Sequence, residues 1–172
     1  MRVFLAPLLI ALAGCGAEQE TLPEGESACA ADAELPGAGP HLCPALSPIA
    51  YCERLTGVVH STDLVLSNRG TETIDIVDVR IRGDARCSFR PPVIDVMEIE
   101  PSVGAAVIRI DYVPSSAGDD RAILEIESNA ANFPLLEIGV CGRAIAGIAD
   151  QTGKCPQCAT PETDDPACAP DE

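Results

Sequence analysis

Cysteine is the residue with the most chemistry to offer in this sequence. Nine occur in 172 residues, and a thiol can form a disulfide, bind a metal or attack an electrophile. Cys155-Pro156-Gln157-Cys158 has the spacing of dithiol oxidoreductases and of half a zinc site. The redox use needs a helix N-terminus after a strand, and the residues around Cys155 predict neither. A zinc site needs two more ligands, and besides cysteine only His41 and His60 are available. Structural disulfides account best for the pair. Other reactive groups are sparse. Two His and one lysine, Lys154, leave few general bases, and the sequence has no G-x-S-x-G, no H-E-x-x-H and no phosphate-cradling Gly loop. Asp119-Asp120 falls in a predicted turn, where solvated carboxylates are ordinary. Asp164, Asp165, Asp171 and Glu172 lack the register of a calcium loop. His60, near the start of a predicted strand, reads as structural. The expectation is no catalytic residue, no metal, no cofactor and no enzyme.

The charge narrows the partners. With 11 Lys+Arg against 27 Asp+Glu, the formal net charge is -16. A nucleic-acid binder needs clustered cations to displace counterions, so nucleic acid is excluded. Docking on anionic lipid through a basic patch is disfavoured for the same reason. Nine cysteines at this length fit an oxidising compartment rather than a reduced cytosol.

The N-terminus places one positive charge, Arg2, before the short apolar run Val3 to Ala11, which ends in Leu12-Ala13-Gly14-Cys15. A run this short falls below the roughly 20 apolar residues that span a bilayer core. The layout is that of a secretory signal. Position, run and tetrapeptide together resemble the lipobox of bacterial lipoproteins. The resemblance implies cleavage after residue 14 and acylation of Cys15 at its sulfur and its new amino group. Several acyl chains would give stable anchoring, since each buried methylene adds about 0.8 kcal/mol. Gly16, where an Asp would hold an enterobacterial lipoprotein at the inner membrane, leans the reading toward the outer membrane.

Beyond the signal peptide, 1–14, composition divides the chain into three parts. Residues 15–50 carry acids and many Pro and Gly but no Lys or Arg, and read as an extended tether. Residues 51–146 carry a period of two. Leu64 and Leu66 alternate with Asp63 and Val65 before the turn Asn68-Arg69-Gly70. Ile74 and Ile76 alternate with Thr73 and Asp75, and the phase slips near Val77-Asp78, as a bulge would make it. Val93, Ile94, Val96 and Ile99 form a looser strand. Ala106, Ile108, Ile110 and Tyr112 define another, Ala122, Leu124 and Ile126 the next, and Leu136, Ile138 and Val140 the last. Short alternating segments separated by turns predict an all-β fold, a β-sandwich of about seven strands. Residues 147–172, rich in Pro, acids and Cys, read as a Cys-containing acidic tail without regular structure. Twelve of the 27 acids lie in the stretches 17–36 and 150–172, so the acidity belongs to tether and tail more than to the fold.

The middle region resembles an immunoglobulin-like module of the ASPM/SPD-2/Hydin type, found in bacterial surface proteins as choice-of-anchor D. The resemblance rests on Asn68-Arg69-Gly70 after an early strand and on Ile74 to Gly83 leading to Phe89. It continues with Tyr112-Val113-Pro114 and Gly118, with Leu124-Glu125-Ile126-Glu127-Ser128-Asn129, and with Pro134, Leu136 and a Gly at 139 or 142. It implies an immunoglobulin-like sandwich. Cys87 and Cys141 depart from the family pattern. The absence of Trp, and of Cys in the two strands where an antibody-type pair belongs, excludes an antibody-type domain.

With Cys15 lipidated, eight cysteines remain: Cys29, Cys43, Cys52, Cys87, Cys141, Cys155, Cys158 and Cys168. An even number outside the cytosol favours disulfides. Three precede the module interior, two lie in it and three follow. Neither group of three can close on itself. Either one bond joins the N-terminal group to the tail, or Cys87 and Cys141 each pair outward. The favoured arrangement is Cys87–Cys141 plus one bond between the ends.

These readings converge on a non-catalytic, lipid-anchored protein of the bacterial cell envelope that contacts an envelope or extracellular protein or plays a structural role. The alternatives are a small-ligand-binding lipoprotein, disfavoured by an aromatic fraction of 3%, and an accessory or inhibitor subunit of an envelope enzyme.

Overall fold

A computed structural model describes Cys29, residues 38–102 and residues 104–158. The signal peptide, Cys15 and Cys168 lie outside the described residues. Nine strands run in the order β1 (Leu42–Pro44), β2 (Ile49–Leu55), β3 (His60–Asn68), β4 (Ile74–Arg82), β5 (Val93–Ile94), β6 (Glu98–Ile99), β7 (Ala105–Tyr112), β8 (Gly118–Ser128) and β9 (Leu135–Ile145). The described residues contain no α-helix.

The strands form two sheets. One has the order β1-β3-β7-β5 and the other β2-β9-β8-β4-β6. All pairs are antiparallel except β2 with β9. Alternation decides which side chains meet between the sheets. Leu64, Leu66, Ile108, Ile110 and Tyr112 from the first sheet pack against Ile74, Ile76, Leu124, Ile126, Ile138 and Val140 from the second, all buried. The result is a β-sandwich, as the period of two predicts, and of the immunoglobulin-like kind that the resemblance implies.

The predicted phase slip is present. The β4–β8 register shifts between Ile76 and Asp78. Val77, the extra residue, is exposed, and Val79 and Ile81 return to face Ile126 and Leu124. A bulge inserts one unpaired residue and so restores the apolar phase.

Three features depart from the sequence reading. The sandwich begins before residue 51: β1 and the start of β2 lie in the stretch assigned to the tether. Leu42 and Ile49 are core residues, but Pro44 and Pro48 interrupt them, and each piece is too short to show a period. The looser strand from Val93 to Ile99 is two fragments in opposite sheets, β5 on β7 and β6 on β4. Finally, β8 starts at Gly118, so Asp119-Asp120 is strand rather than turn. Asp120 is buried, because it shares the inward phase of Ala122, Leu124 and Ile126.

Candidate functional site

Residues 151–158 leave the end of β9 and cross back over the outer face of the second sheet. Two disulfides fasten this strap, Cys52–Cys155 and Cys141–Cys158, with Cα separations of 4.4 and 5.2 Å. The first ties it to edge strand β2 and the second to β9. The two cysteines of Cys155-x-x-Cys158 are therefore not bonded to each other. Cys158 lies over Gly139, where a Cβ would sit 3.8 Å from the Cys158 Cβ, and its Sγ is 3.6 Å from the Ile49 carbonyl. Pro156 between the bonds is buried.

The Cys87–Cys141 bond is corrected by this arrangement. Val140 and Gly142 face the core, so Cys141 between them faces outward, where the strap lies. Cys52–Cys155 does join the N-terminal group to the tail. A third bond, Cys29–Cys43, has a Cα separation of 5.4 Å. Cys87 is disulfide-bonded as well. The other six described cysteines pair among themselves, so its partner is outside the described residues.

Glu53 holds the strap from the opposite direction. It has φ 42° at the β2 irregularity between Tyr51 and Arg54. Its carboxylate accepts hydrogen bonds from the Thr152 hydroxyl (2.5 Å) and from the amides of Thr152 (2.7 Å), Gly153 (2.9 Å) and Lys154 (3.1 Å). The Thr152 hydroxyl is the largest influence and, with the three amides, outweighs desolvation. The carboxyl is held down to about 2.

Beside the strap, the same face carries an ion network. Glu125 and Glu137 stand directly opposite on β8 and β9, an arrangement that repels when bare. Arg82 joins them, with Nε 2.5 Å from Glu125 Oε1 and Nη2 2.8 Å from Glu137 Oε1. Arg80 binds Glu125 Oε2 at 2.7 Å and Asp78 at 2.6 Å. Burial pushes the Glu125 carboxyl up, but the bonds from Arg80 and Arg82 prevail and hold it below its ordinary range.

Inside the sandwich a polar group crosses between the sheets. The Tyr112 hydroxyl on β7 donates to Asp120 Oδ2 on β8 at 2.6 Å. Arg86 Nε is 3.1 Å from Asp120 Oδ1, and Arg86 Nη2 donates to the Ser116 carbonyl and hydroxyl at 2.6 and 2.7 Å. Burial, with Asp120 nearby, pushes the Tyr112 phenol above its ordinary range and raises the Asp84 carboxyl, against the Phe89 amide that donates to it. A buried tyrosine and aspartate, capped by the part-exposed Arg86, form a structural network across the two sheets.

The sheet edges differ in how they are closed. On β1, the Asn132 side chain takes both main-chain groups of Leu42, at 2.9 and 2.8 Å. On β7, residues 88–95 fill the outer side through Arg90 to Asp111, Val113 to Ser88 and Asp95 to Val107. On β4, however, β6 pairs only with Ile74 and Asp75. No described strand pairs with the outer side of Val77–Arg82.

His60 Nε2 lies 3.1 Å from the Leu55 carbonyl at the turn between β2 and β3. Among the described residues no three His, Cys, Asp or Glu gather as a metal-binding set, and no described helix is long and apolar enough to cross a membrane.

No protein-family model and no curated protein matches the chain. Solved structures do. A protein of unknown function from Porphyromonas gingivalis W83 superposes with a TM-score of 0.50 at 19% identity, over 62% of this chain and 47% of that one. The chain thus spans about half of that protein's length. An ASH/PapD-like domain of human CEP192 matches with a TM-score of 0.49 at 16% identity, over 65% of this chain and 90% of that domain. The periplasmic chaperone SfaE matches at 0.41 and 12% identity, over 60% and 57%. At such identities the likeness is one of fold. The three described disulfides in turn fit an oxidising compartment outside the cytosol.

Proposed function

We propose that this chain is a lipid-anchored protein of the bacterial cell envelope, held through Cys15 in the outer membrane. It presents an immunoglobulin-like sandwich of the ASPM/SPD-2/Hydin type to an envelope or extracellular protein, and does no catalysis. One observation carries the reading. All seven described cysteines are disulfide-bonded, yet the chain has nine, an odd number. One cysteine must stay outside the intrachain bonds, and the lipobox gives Cys15 another use. Cys87 then pairs with Cys168. The outer side of β4 from Val77 to Arg82 supports the interaction role, because an unpaired strand edge accepts an extended segment of a partner.

The test is metabolic labelling with an alkyne analogue of palmitate, followed by mapping of the mature protein without reduction. Wild type takes up the label, Cys15→Ser does not, and Cys87 is found with Cys168. Unlabelled wild type, or Cys87 bonded to Cys15, overturns the anchor. Pull-down from detergent-solubilised envelopes tests the partner: recovery of a small molecule with no protein replaces the interaction role by ligand carriage.

A further inference from the structure

The two strap disulfides share the Cys155-x-x-Cys158 segment yet differ in access. Cys155 is exposed and Cys52 half-buried, whereas Cys141 is fully buried and Cys158 half-buried. A soluble thiol therefore reaches the Cys52–Cys155 bond first. The freed Cys155 is then three residues from Cys158, a spacing at which cysteines readily bond. Its attack on Cys158 is intramolecular and needs no further reagent.

We propose that Cys155 and Cys158 form a thiol-exchange site, a latch that a dithiol reductant opens by attacking Cys52–Cys155. In the first step one reductant thiolate bonds to a sulfur of that pair. Its second thiol then closes the reductant into a disulfide, leaving Cys52 and Cys155 as thiols. In the second step the Cys155 thiolate attacks the Cys158 sulfur. The Cys141–Cys158 bond breaks, and Cys141 leaves as a thiolate that takes a proton from water. The dithiol is oxidised by two electrons. The protein ends with one disulfide, Cys155–Cys158, and two thiols, Cys52 and Cys141.

One reduction event thus removes both covalent fasteners. The strap then keeps non-covalent contacts alone, chief among them its hydrogen bonds to Glu53, and detachment uncovers the outer face of β9 at Gly139 and Cys141. The latch is a different use of the motif from that of an oxidoreductase, since both partner cysteines lie on the sheet and the reductant acts on this chain as its substrate. It is independent of the lipid anchor and of any partner on β4.

The full oxidised chain is treated with stepwise increments of dithiothreitol, quenched with acid, alkylated and mapped without further reduction. The expected intermediate has Cys52 and Cys141 alkylated and Cys155 bonded to Cys158, and precedes the species with four alkylated strap cysteines. Persistence of Cys141–Cys158 while Cys52 and Cys155 are alkylated overturns the proposal, as does simultaneous alkylation of all four. In Cys155→Ser the attacking thiol is missing, and Cys141–Cys158 should survive to about tenfold higher dithiothreitol than in wild type. Equal sensitivity overturns it. Cleavage after Lys154 by a lysine-specific protease should quicken about tenfold when the intermediate forms, because the strap it cuts has come free. If Cys155→Ser fails to fold, the wild-type map alone decides.

Discussion

Tyr112 and Gly142 meet across the sandwich. A Cβ at Gly142 would overlap the Tyr112 ring, and Gly142 is the register partner of Asp120, which accepts the Tyr112 hydroxyl. The ring thus lies on one member of a β8–β9 pair while its hydroxyl bonds the other. Tyr51 and Phe89 complete the cluster, with centroids 5.2 and 4.9 Å from Tyr112. Three of the chain's five aromatics sit together there, which gives this modest core its large-area packing.

Gly142→Ala should therefore be costly although it adds a single methyl group. The ring cannot withdraw without giving up its bond to Asp120. Overpacking of this kind costs about 1–3 kcal/mol, and urea denaturation should show the midpoint falling. Gly153→Ala, at a strap position with open space but φ 72°, tests strain without overlap and should leave the core packing unchanged.

Tyr112→Phe keeps the ring and removes the donor to a buried carboxylate. Leaving such an acceptor unsatisfied costs about 1–3 kcal/mol. The Tyr112→Phe, Asp120→Asn double variant should cost less than the two single changes together. Equal additivity in a double-mutant cycle would show that the two groups do not interact.

The Glu53 grip is pH-dependent. Its folded carboxyl titrates at about 2, below the ordinary value of 4.5, so the charged form is the one the strap binds. The contribution is fully present above about pH 4.5 and is lost as the pH falls toward 2. Hydrogen exchange at the amides of Thr152, Gly153 and Lys154, corrected for intrinsic rates, should accelerate over that interval. Glu53→Gln should show no such pH step.

The disulfides should rank by the loop they close. Cys52–Cys155 joins residues 103 apart, and Cys141–Cys158 residues 17 apart. The chain-entropy treatment gives about 4.7 kcal/mol for a loop of some 100 residues and about 3 kcal/mol for one near 15. Replacing Cys52 and Cys155 together by serine should thus lower the thermal midpoint more than replacing Cys141 and Cys158 together.

The strands with uninterrupted alternation were legible in the sequence, and so was the bulge beside Val77, because an apolar phase that breaks and resumes has few other causes. The short strands were not. Leu42 lies between Pro40 and Pro44 and Ile49 follows Pro48, and two or three residues carry no period. Parity of cysteines left two arrangements, a bond between the N-terminal segment and the tail or outward bonds from Cys87 and Cys141, but parity does not say which way a side chain faces. The outward phase of Cys141, set by its core-facing neighbours Val140 and Gly142, decided that. The same alternation marks Asp120 as inward, a signal present in the residues and masked by the turn-like composition around Gly118. Nothing near Glu53 announces its role, since its donors, the Thr152 hydroxyl and three main-chain amides, lie 99 to 101 residues away.

The bond between Cys29 and Cys43 has a mechanical consequence. If the chain is held at Cys15, tension entering through residue 29 passes directly into β1 at Cys43 and bypasses residues 30–42. Only 14 residues of sequence then separate Cys29 from Cys15, at most about 46–50 Å of chain. Load arrives at the edge of one sheet, on a strand whose main chain the Asn132 side chain already grips. The strap fastens the edge of the other sheet, so the covalent reinforcement stands where pulling would begin to peel each sheet apart.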